Sequence, residues 1–247
     1  MLIDTHAHLN FNVYKEDSSK VLRRSLDNNI WMINVGSQYS TSKRAVEIAE
    51  QYKEGVYAAV GLHPIHAQDG FVYADYKALA ERKVVAIGEI GLDYKSEYVA
   101  FKEKQREVFL QQLKLAEDLN LPVIFHCRMA HDDLISILVE NSSRPTGVVH
   151  CFTGTWLQAE KYLDLGFCLG FNGIIFKLNL DEIIKKAPLD KILIETDCPY
   201  LTPSQEQGRN EPLFVKHVAQ KIAQVKNLGY EKIAEITTQN ARKLFKI

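Results

Sequence analysis

Residues 2–9 read LIDTHAHL, in which the apolar run LID at 2–4 leads into two histidines spaced two residues apart. Apolar residues stand next to each other in this run and do not alternate with polar ones, which is typical of a strand buried on both faces of a parallel sheet. Seven similar runs, rich in β-branched residues, follow along the chain: IWMINV at 30–35, VYAAVG at 56–61, VVAIG at 84–88, PVIF at 122–125, GVV at 147–149, FCLGF at 167–171 and KILI at 191–194.

Segments with helical periodicity separate these runs. Residues 101–119 carry apolar side chains at i, i+3 and i+4 spacing, and so do residues 215–222, which Asn210 could cap with Pro212 in the first turn. Eight strands alternating with helices form the pattern of a (β/α)8 TIM barrel. An open doubly wound sheet is the competing arrangement, but no G-x-G-x-x-G motif follows the first run. We predict a single α/β barrel domain over residues 1–247.

Composition excludes several classes of protein. Hydrophobic residues make up 46% and charged residues 25%, so the chain is not disordered. The net charge of −1 excludes nucleic-acid binding through bulk positive charge, although a local basic patch remains compatible with it. The four cysteines are widely spaced, which argues against a disulfide framework. Neither a signal peptide nor a membrane-spanning stretch is visible, and we predict a cytoplasmic protein with no membrane partner.

Five of the eight runs end in a histidine or a carboxylate. In a barrel all parallel strands end at the same face, where barrel enzymes place their active sites. His6 and His8 should both point into the barrel, because side chains two apart on a strand share a face. We expect one cluster at the barrel mouth from the following residues: His6, His8, Glu89, His126, His150 and Asp197.

Six nitrogen and oxygen ligands suit a pair of divalent metal ions. One tetrahedral ion needs only about four ligands, whereas six ligands with one bridging carboxylate fit two ions about 3.5–4 Å apart. Burying these groups without cations would destabilise the fold. Imidazole and carboxylate ligands without thiolate are compatible with Mg, Mn, Zn or Ni.

The remaining cysteines and histidines are not predicted to be ligands. Three cysteines each follow a predicted ligand by one residue, so strand alternation should turn them away from the cluster, and we interpret them as small buried residues. Three histidines lie outside the run ends, and we expect them to be solvated at the surface. The cysteines are Cys127, Cys151 and Cys198, and the histidines are His66, His131 and His217.

Other residues near the strand ends could contact a substrate. Arg128 lies two residues after His126 and is a candidate phosphate clamp, with a salt bridge to a loop carboxylate as the alternative. Lys177 and Arg209 follow the seventh and eighth runs, whose loops often bind phosphate in barrels. His63 ends the third run and could donate or accept a proton. Aromatic residues near the mouth could stack on bases or pack the core: Phe11, Tyr94, Phe152, Trp156 and Tyr200.

The motifs together resemble a known family. From residue 3 to residue 245 the chain is similar to the TatD family of metal-dependent deoxyribonucleases, which are amidohydrolase-like barrels. The stretches that carry the resemblance are IDTHAHL, GLHP, GEIGLDY, PVIFHCR, HCFTG, ETDCPYLTP, RNEP and TTQNARKLF. The stretch after GLHP departs from the family, which often has HPH where this chain has Ile65 before His66. Residues 204–208 also lack the basic residue often found before RNEP.

The resemblance implies a two-metal nuclease. One ion would be held by His6, His8, Glu89 and Asp197, and the other by Glu89, His126 and His150, with Glu89 bridging. Substrate phosphate would lie near His63, Arg128, Arg209 and Asn210, and Asp93 would lie close by.

The implied reaction is hydrolysis of phosphodiester bonds by a 3′-5′ exodeoxyribonuclease. Its partner is a single-stranded or frayed DNA end, and we expect the protein to act as a monomer. Glu89, Asp197 and His63 are the predicted catalytic residues, with Asp197 or His63 taking the proton of the attacking water.

Two alternatives remain open at this stage. The first is an amidohydrolase or esterase acting on a small molecule or on aminoacyl-tRNA, because the fold does not fix the substrate. Cationic density at the mouth should distinguish it, since an uncharged amide does not need Arg128, Lys177 and Arg209 together. The second is a metal-binding barrel without enzymatic activity, against which the complete ligand set argues.

Overall fold

The computed structural model of the chain describes residues 1–80, 82–141 and 145–247. Strands and helices alternate through most of these ranges. The strands are β1 (Leu2–Ala7), β2 (Ile30–Val35), β3 (Val56–Val60), β4 (Val84–Asp93), β5 (Val123–Arg128), β6 (Gly147–Val149), β7 (Cys168–Phe171) and β8 (Ile192–Ile194). The helices are α1 (Ser18–Asp27), α2 (Tyr39–Ala49), α3 (Tyr73–Ala80), α4 (Lys102–Leu119), α5 (His131–Glu140), α6 (Trp156–Asp164), α7 (Asp181–Lys186), α8 (Val215–Lys226) and α9 (Tyr230–Phe245).

The strands form one parallel sheet in the order β1 to β8. The sheet curls back on itself, because Ala7 at the end of β1 makes a parallel bridge with Cys198, just after β8. The backbone NH of Asp197 donates to the carbonyl of His6 over 2.8 Å at this seam. The structure therefore confirms the predicted (β/α)8 barrel and excludes the open doubly wound sheet.

The barrel is filled by a compact inner core. Every strand contributes a buried apolar side chain to it, and two residues of α9, Ala241 and Phe245, join the same cluster. The last helix therefore covers the end of the barrel opposite the strand carboxyl ends. A larger apolar cluster lies between the strands and the outer helices.

An irregularity in β1 sets the direction of the first two histidines. Ile3 belongs to the inner core, whereas Ala7 and Leu9 belong to the outer cluster. Strict alternation from Ile3 would place Ala7 inside, but the pairing of β1 with β2 shifts register between Asp4 and Ala7. The shift reverses the alternation, so that both His6 and His8 face the interior.

Three elements differ from the sequence-based expectation. The fourth strand continues to Asp93 and the fifth to Arg128, because these two residues are still register partners. Asn210 does not cap α8, which begins at Val215 after a 3-10 turn over Pro212–Phe214. In the parts of the chain that the structure covers, no helix combines the length and the apolar character needed to cross a membrane.

Candidate active site

The predicted ligands meet at the carboxyl end of the barrel. Glu89 lies at the centre of the cluster, and its side chain is almost fully buried. Its Oε1 lies 2.7 Å from Nδ1 of His126 and 3.2 Å from Nε2 of His150. Its Oε2 lies 3.4 Å from Nε2 of His6. The two carboxylate oxygens therefore face different groups of imidazoles.

A second carboxylate completes the group that contains His6. Oδ1 of Asp197 lies 3.4 Å from Nε2 of His8, and the Nε2 atoms of His6 and His8 are 3.1 Å apart. The stacked rings of His6 and His150, with centroids 3.7 Å apart, join this group to the one at Oε1 of Glu89.

The outward-facing nitrogens fix the orientation of three imidazoles. Nδ1 of His8 lies 2.8 Å from the carbonyl of Val35, and Nδ1 of His150 lies 2.9 Å from Oε1 of Glu195. Nε2 of His126 lies 2.9 Å from Oδ2 of Asp93. A neutral imidazole that donates outward keeps a lone pair on its other nitrogen, and this arrangement is typical of metal-ligating histidines.

This donor set fits divalent cations. When the outer nitrogens of these three imidazoles donate, lone pairs on the inner nitrogens face the same space as the oxygens of Glu89 and Asp197, and a divalent cation there would stabilise this arrangement. Four groups of described side chains that include these residues have ligand atoms within 4.8 Å of one another: His6, Glu89 and His150; His6, His8 and Asp197; His63, Asp93 and His126; His150, Cys151 and Asp197.

Electrostatics within the cluster are strongly coupled. Burial opposes ionisation of Glu89, but the surrounding imidazoles, His63 first among them, hold its pKa well below the usual range. Burial also opposes ionisation of Asp197, yet His8, His150 and His6 lower its pKa. Both carboxylates are therefore anionic at neutral pH and can act as ligands.

The cluster forms the floor of a cavity of about 510 Å³. Much of its lining is apolar, and it includes Phe11, Ile65, Ile174, Tyr200 and Leu201. Among the described residues that line it, Arg128 is the only lysine or arginine. The cavity therefore offers one cationic side chain beside the predicted metal ligands.

His63 lies against the Oε1 side of the central carboxylate. It precedes a 3-10 turn over Pro64–Asp69, and its Nδ1 accepts a hydrogen bond from the NH of Ile65 over 3.2 Å. The proton of the neutral ring is therefore on Nε2, 3.4 Å from Oε1 of Glu89. Burial, together with the neighbouring His126, lowers the pKa of His63 to about 4. The ring is a neutral hydrogen-bond donor in this arrangement.

Arg128 is held by a carboxylate that is fully buried. Its Nε donates to Oδ1 of Asp93 over 2.9 Å, and its terminal NH2 group lies 2.6 Å from Oδ2. The salt bridge that sequence analysis left as an alternative is therefore present, although Asp93 belongs to β4 and not to a loop. The Arg128 side chain remains 44% exposed, and the guanidinium has further donors that could bind an anion in the cavity.

Three predicted substrate-contacting residues lie elsewhere. Lys177 is exposed and does not line the cavity. Arg209 donates to Asp17 and to the carbonyl of Val13, and its guanidinium lies 4.0 Å over the Tyr14 ring.

Asn210 is buried, and its side-chain NH2 donates to the carbonyls of Thr196 and Tyr200. Arg209 and Asn210 shape the loop after β8, and direct contact with phosphate stays a prediction for both.

The cysteine prediction is only partly correct. Cys198 is fully buried and does not line the cavity, as expected. Cys127 and Cys151 do line it, and a ligand-distance group includes His150, Cys151 and Asp197. Cys151 has a positive φ of 46°, outside strand geometry, which explains why alternation does not apply to it. Burial raises the pKa of its thiol to about 12, so the group is protonated at neutral pH.

Glu195 is a site residue that sequence analysis did not assign. It is fully buried, and its Oε1 accepts hydrogen bonds from Nδ1 of His150, the NH of Cys151 and the amide of Asn172. Gly170 leaves room for it, because a Cβ there would lie 2.6 Å from Oε2. The sequence did contain one indication that Glu195 belongs to the site, because it lies two residues before the predicted ligand Asp197.

Comparison with known proteins assigns the family. The family model described as "TatD related DNase" matches residues 3–246. The chain belongs to the TatD family. It is 44% identical over 256 residues to "Uncharacterized metal-dependent hydrolase YabD" of Bacillus subtilis, with 100% of both proteins covered.

A second curated TatD relative carries a nuclease name. The chain is 34% identical to "3'-5' ssDNA/RNA exonuclease TatD" of Pantoea ananatis, with 99% of each covered. Among solved structures, a TatD homologue from Escherichia coli, YJJV, superposes with a TM-score of 0.92 at 32% identity, covering 100% of this chain and 98% of that one. The chain is therefore a metal-dependent hydrolase acting on ester bonds, which argues against a barrel without activity.

Proposed function

We propose that this TatD-family protein is a phosphodiesterase that removes nucleotides from the 3′ end of single-stranded DNA, using two divalent ions. The observation that carries the proposal is the arrangement around Glu89, whose two oxygens face separate groups of imidazoles. The name of the Pantoea ananatis relative supports the substrate class. Arg128 supports an anionic substrate, since its guanidinium projects into the same cavity.

The residues divide into two ligand sets that share Glu89. His6, His8, Glu89 and Asp197 would hold one ion. Glu89, His126 and His150 would hold the second. Divalent ions bound in this way lower the pKa of a water molecule and offset charge on a phosphate oxygen. Mg, Mn, Zn and Ni all suit these ligands, with the four imidazoles favouring the transition metals.

The side chains of the chain supply the remaining chemistry. Asp197 is anionic, 15% exposed and at the edge of the cavity, and it would accept the proton of the attacking water. His63 would donate from Nε2 to a phosphate oxygen as charge develops there. Arg128 would hold a second phosphate oxygen while Asp93 keeps its guanidinium in place.

The protein would act as a monomer, because this one chain supplies every proposed ligand. Its four cysteines are unpaired, which fits a reducing cytoplasm.

Metal analysis combined with product sizing tests the proposal. The purified protein should contain about two divalent ions per chain, and a 5′-labelled single strand should shorten one nucleotide at a time. A chelator should stop the reaction, and restored metal should revive it. Internal cleavage, or full activity in a chelator-treated protein that contains no metal, would contradict the assignment.

A second candidate is hydrolysis of a small amide or ester on the same scaffold. The observation that favours it is the low cationic density of the cavity, to which Lys177 and Arg209 do not contribute. A panel of amides and neutral esters, measured beside a single-stranded oligonucleotide, separates the two. Higher kcat/KM on any neutral substrate than on the oligonucleotide would favour this candidate.

A further inference from the structure

The cavity of about 510 Å³ that contains the predicted ligands is called the metal-ligand cavity. A second pocket opens beside it, between the end of β1 and the start of α2. It has a volume of about 620 Å³. Phe11, Ser37 and Tyr200 line both spaces, so the two are neighbours across one shared wall. Tyr200 is 55% exposed and Phe11 stacks on the His8 ring with centroids 4.3 Å apart. The shared wall therefore presents aromatic faces next to a predicted metal ligand.

Arg44 lines this second pocket and is its only cation among the described residues. The side chain is half-buried, and within the described ranges no hydrogen bond or ion pair engages it. This sets it apart from Arg128 and Arg209, whose guanidinium groups are each bound to an aspartate. A half-buried guanidinium without a counter-ion is a ready binding group for a phosphate.

The pocket wall carries no described aspartate or glutamate, while Asn10, Ser40 and Gln38 add polar groups to it. Asn10 is 1% exposed, and its amide oxygen has no hydrogen-bond partner although its NH2 group donates to Val35 and Thr41. This leaves an unused acceptor in the wall. The lining therefore combines a cation, aromatic surface and polar groups, as single-strand binding sites do.

The side of the metal-ligand cavity away from Arg44 carries negatively charged side chains. There a pocket of about 550 Å³ shares Arg128 and Thr153 with the cavity, and its lining includes Asp132 and Asp133. Two carboxylates beside one arginine, itself paired with Asp93, repel a polyanion. A strand that carries several phosphates is therefore favoured on the Arg44 side and disfavoured on this one.

We propose that the pocket at Arg44 is a subsite for the body of a single-stranded nucleic acid whose end lies in the metal-ligand cavity. A backbone phosphate binds Arg44, and the neighbouring bases stack on Phe11 and Tyr200. This inference rests on the proposed function for its substrate class. It adds the direction in which the strand leaves the cavity and the residues that bind it.

The test of the subsite compares how tightly the Arg44→Gln variant and the parent protein bind a single-stranded oligonucleotide. The probe is a fluorescent ten-nucleotide strand, measured with added Mg²⁺. Its phosphorothioate linkages resist cleavage, and its fluorescence anisotropy reports binding. Removing one charge-assisted phosphate contact should weaken Kd by roughly tenfold. The slope of log K against log salt should become shallower by about 0.7, the value for one phosphate of a single strand.

Lys43→Gln is the matched control, because it removes the same charge from the adjacent position of α2. Lys43 is exposed, lies 4.0 Å from Glu47 and does not line the pocket. Its Kd should stay within about twofold of the parent, as surface ion pairs contribute little. Equal effects of the two variants, or none from Arg44→Gln, would overturn the subsite.

The assay also separates the subsite from the proposed function. A protein that hydrolyses no phosphodiester, yet binds the strand in a manner dependent on Arg44, would retain the subsite and lose the proposed function. A protein that shortens oligonucleotides at the same rate with either residue at position 44, and binds the probe equally, would retain the proposed function and lose the subsite. Failure of the parent to bind the probe at all would also overturn the subsite.

Discussion

Oε1 of Glu195 lies 2.9 Å from Nδ1 of His150, and both side chains are almost completely buried. The same oxygen accepts from the NH of Cys151 over 2.7 Å. The carboxylate therefore fixes both the ring and the backbone that follows it. With Nδ1 donating to Glu195, Nε2 of His150 is left to face Glu89 at 3.2 Å.

Glu195→Gln should weaken metal binding without removing a ligand. The amide can still accept from Nδ1 but lacks the charge that makes the imidazole a better ligand, and loss of such partners typically costs 10–100-fold in metal affinity. Competition with a chromophoric chelator would measure this affinity. Activity should recover largely at saturating metal, which a general folding defect would not permit.

Glu54→Gln provides the comparison, since Glu54 is exposed and distant from the cluster in the fold. Its metal affinity should equal that of the parent protein. If Glu195→Gln bound metal as tightly as this control, the carboxylate would have no role in orienting His150.

Glu89→Gln should abolish both turnover and stabilisation by metal. A ligand that binds only the folded state at 100 times its Kd stabilises it by about 2.7 kcal/mol, or roughly 5–10 °C in Tm for a domain of this size. Thermal melts of the parent with and without chelator should show this difference. The variant should melt at one temperature in both conditions, and a metal-dependent Tm in Glu89→Gln would show that the carboxylate is not the shared ligand.

The barrel and the clustering of the six proposed ligands could be predicted from sequence because a parallel barrel brings all strand ends to one face. Position at the end of an apolar run is then enough to place His126 beside Glu89, although 37 residues separate them. The pattern needs no knowledge of helices or loops. For this reason the six proposed ligands were identified together.

The salt-bridge and hydrogen-bond partners of polar side chains could not be predicted in the same way. Arg209 and Asp17 are 192 residues apart, and only the folded loops bring them together. Likewise, the prediction that His131 is solvated was wrong, because the start of α5 packs against Tyr162, whose hydroxyl is 3.2 Å from Nδ1 of the histidine. Local sequence carries no signal for such long-range contacts.

Arg128→Gln should impair charged substrates more than neutral ones. Hydrogen bonds between charged groups contribute about 1.5–3 kcal/mol, so kcat/KM for a phosphodiester should fall roughly 10–100-fold. For a neutral ester the change should stay within about threefold, because no phosphate contact is lost. Initial rates on both substrates would measure the difference, with Arg23→Gln at an exposed position as the control. An equal loss on both substrates would mean that Arg128 maintains the structure of the site and does not bind phosphate.

His131 should make the fold less stable in mild acid. Burial lowers the pKa of this residue to about 4, from an ordinary value of 6.5. Between these two values the unfolded chain binds a proton that the folded chain does not. The contribution of neutral His131 to the free energy of unfolding is therefore complete above pH 6.5 and decreases as the pH falls toward 4. The decrease is about 2 kcal/mol between pH 7 and pH 5.

His131→Gln removes this dependence because glutamine stays neutral while it can still bond the hydroxyl of Tyr162. Urea unfolding at pH 7 and pH 5, with chelator present to exclude metal effects, gives the free energy of unfolding of both proteins. The parent should lose about 2 kcal/mol more than the variant over this interval. Equal losses would mean that His131 titrates as a solvated residue, and the buried contact with Tyr162 would then not exist in solution.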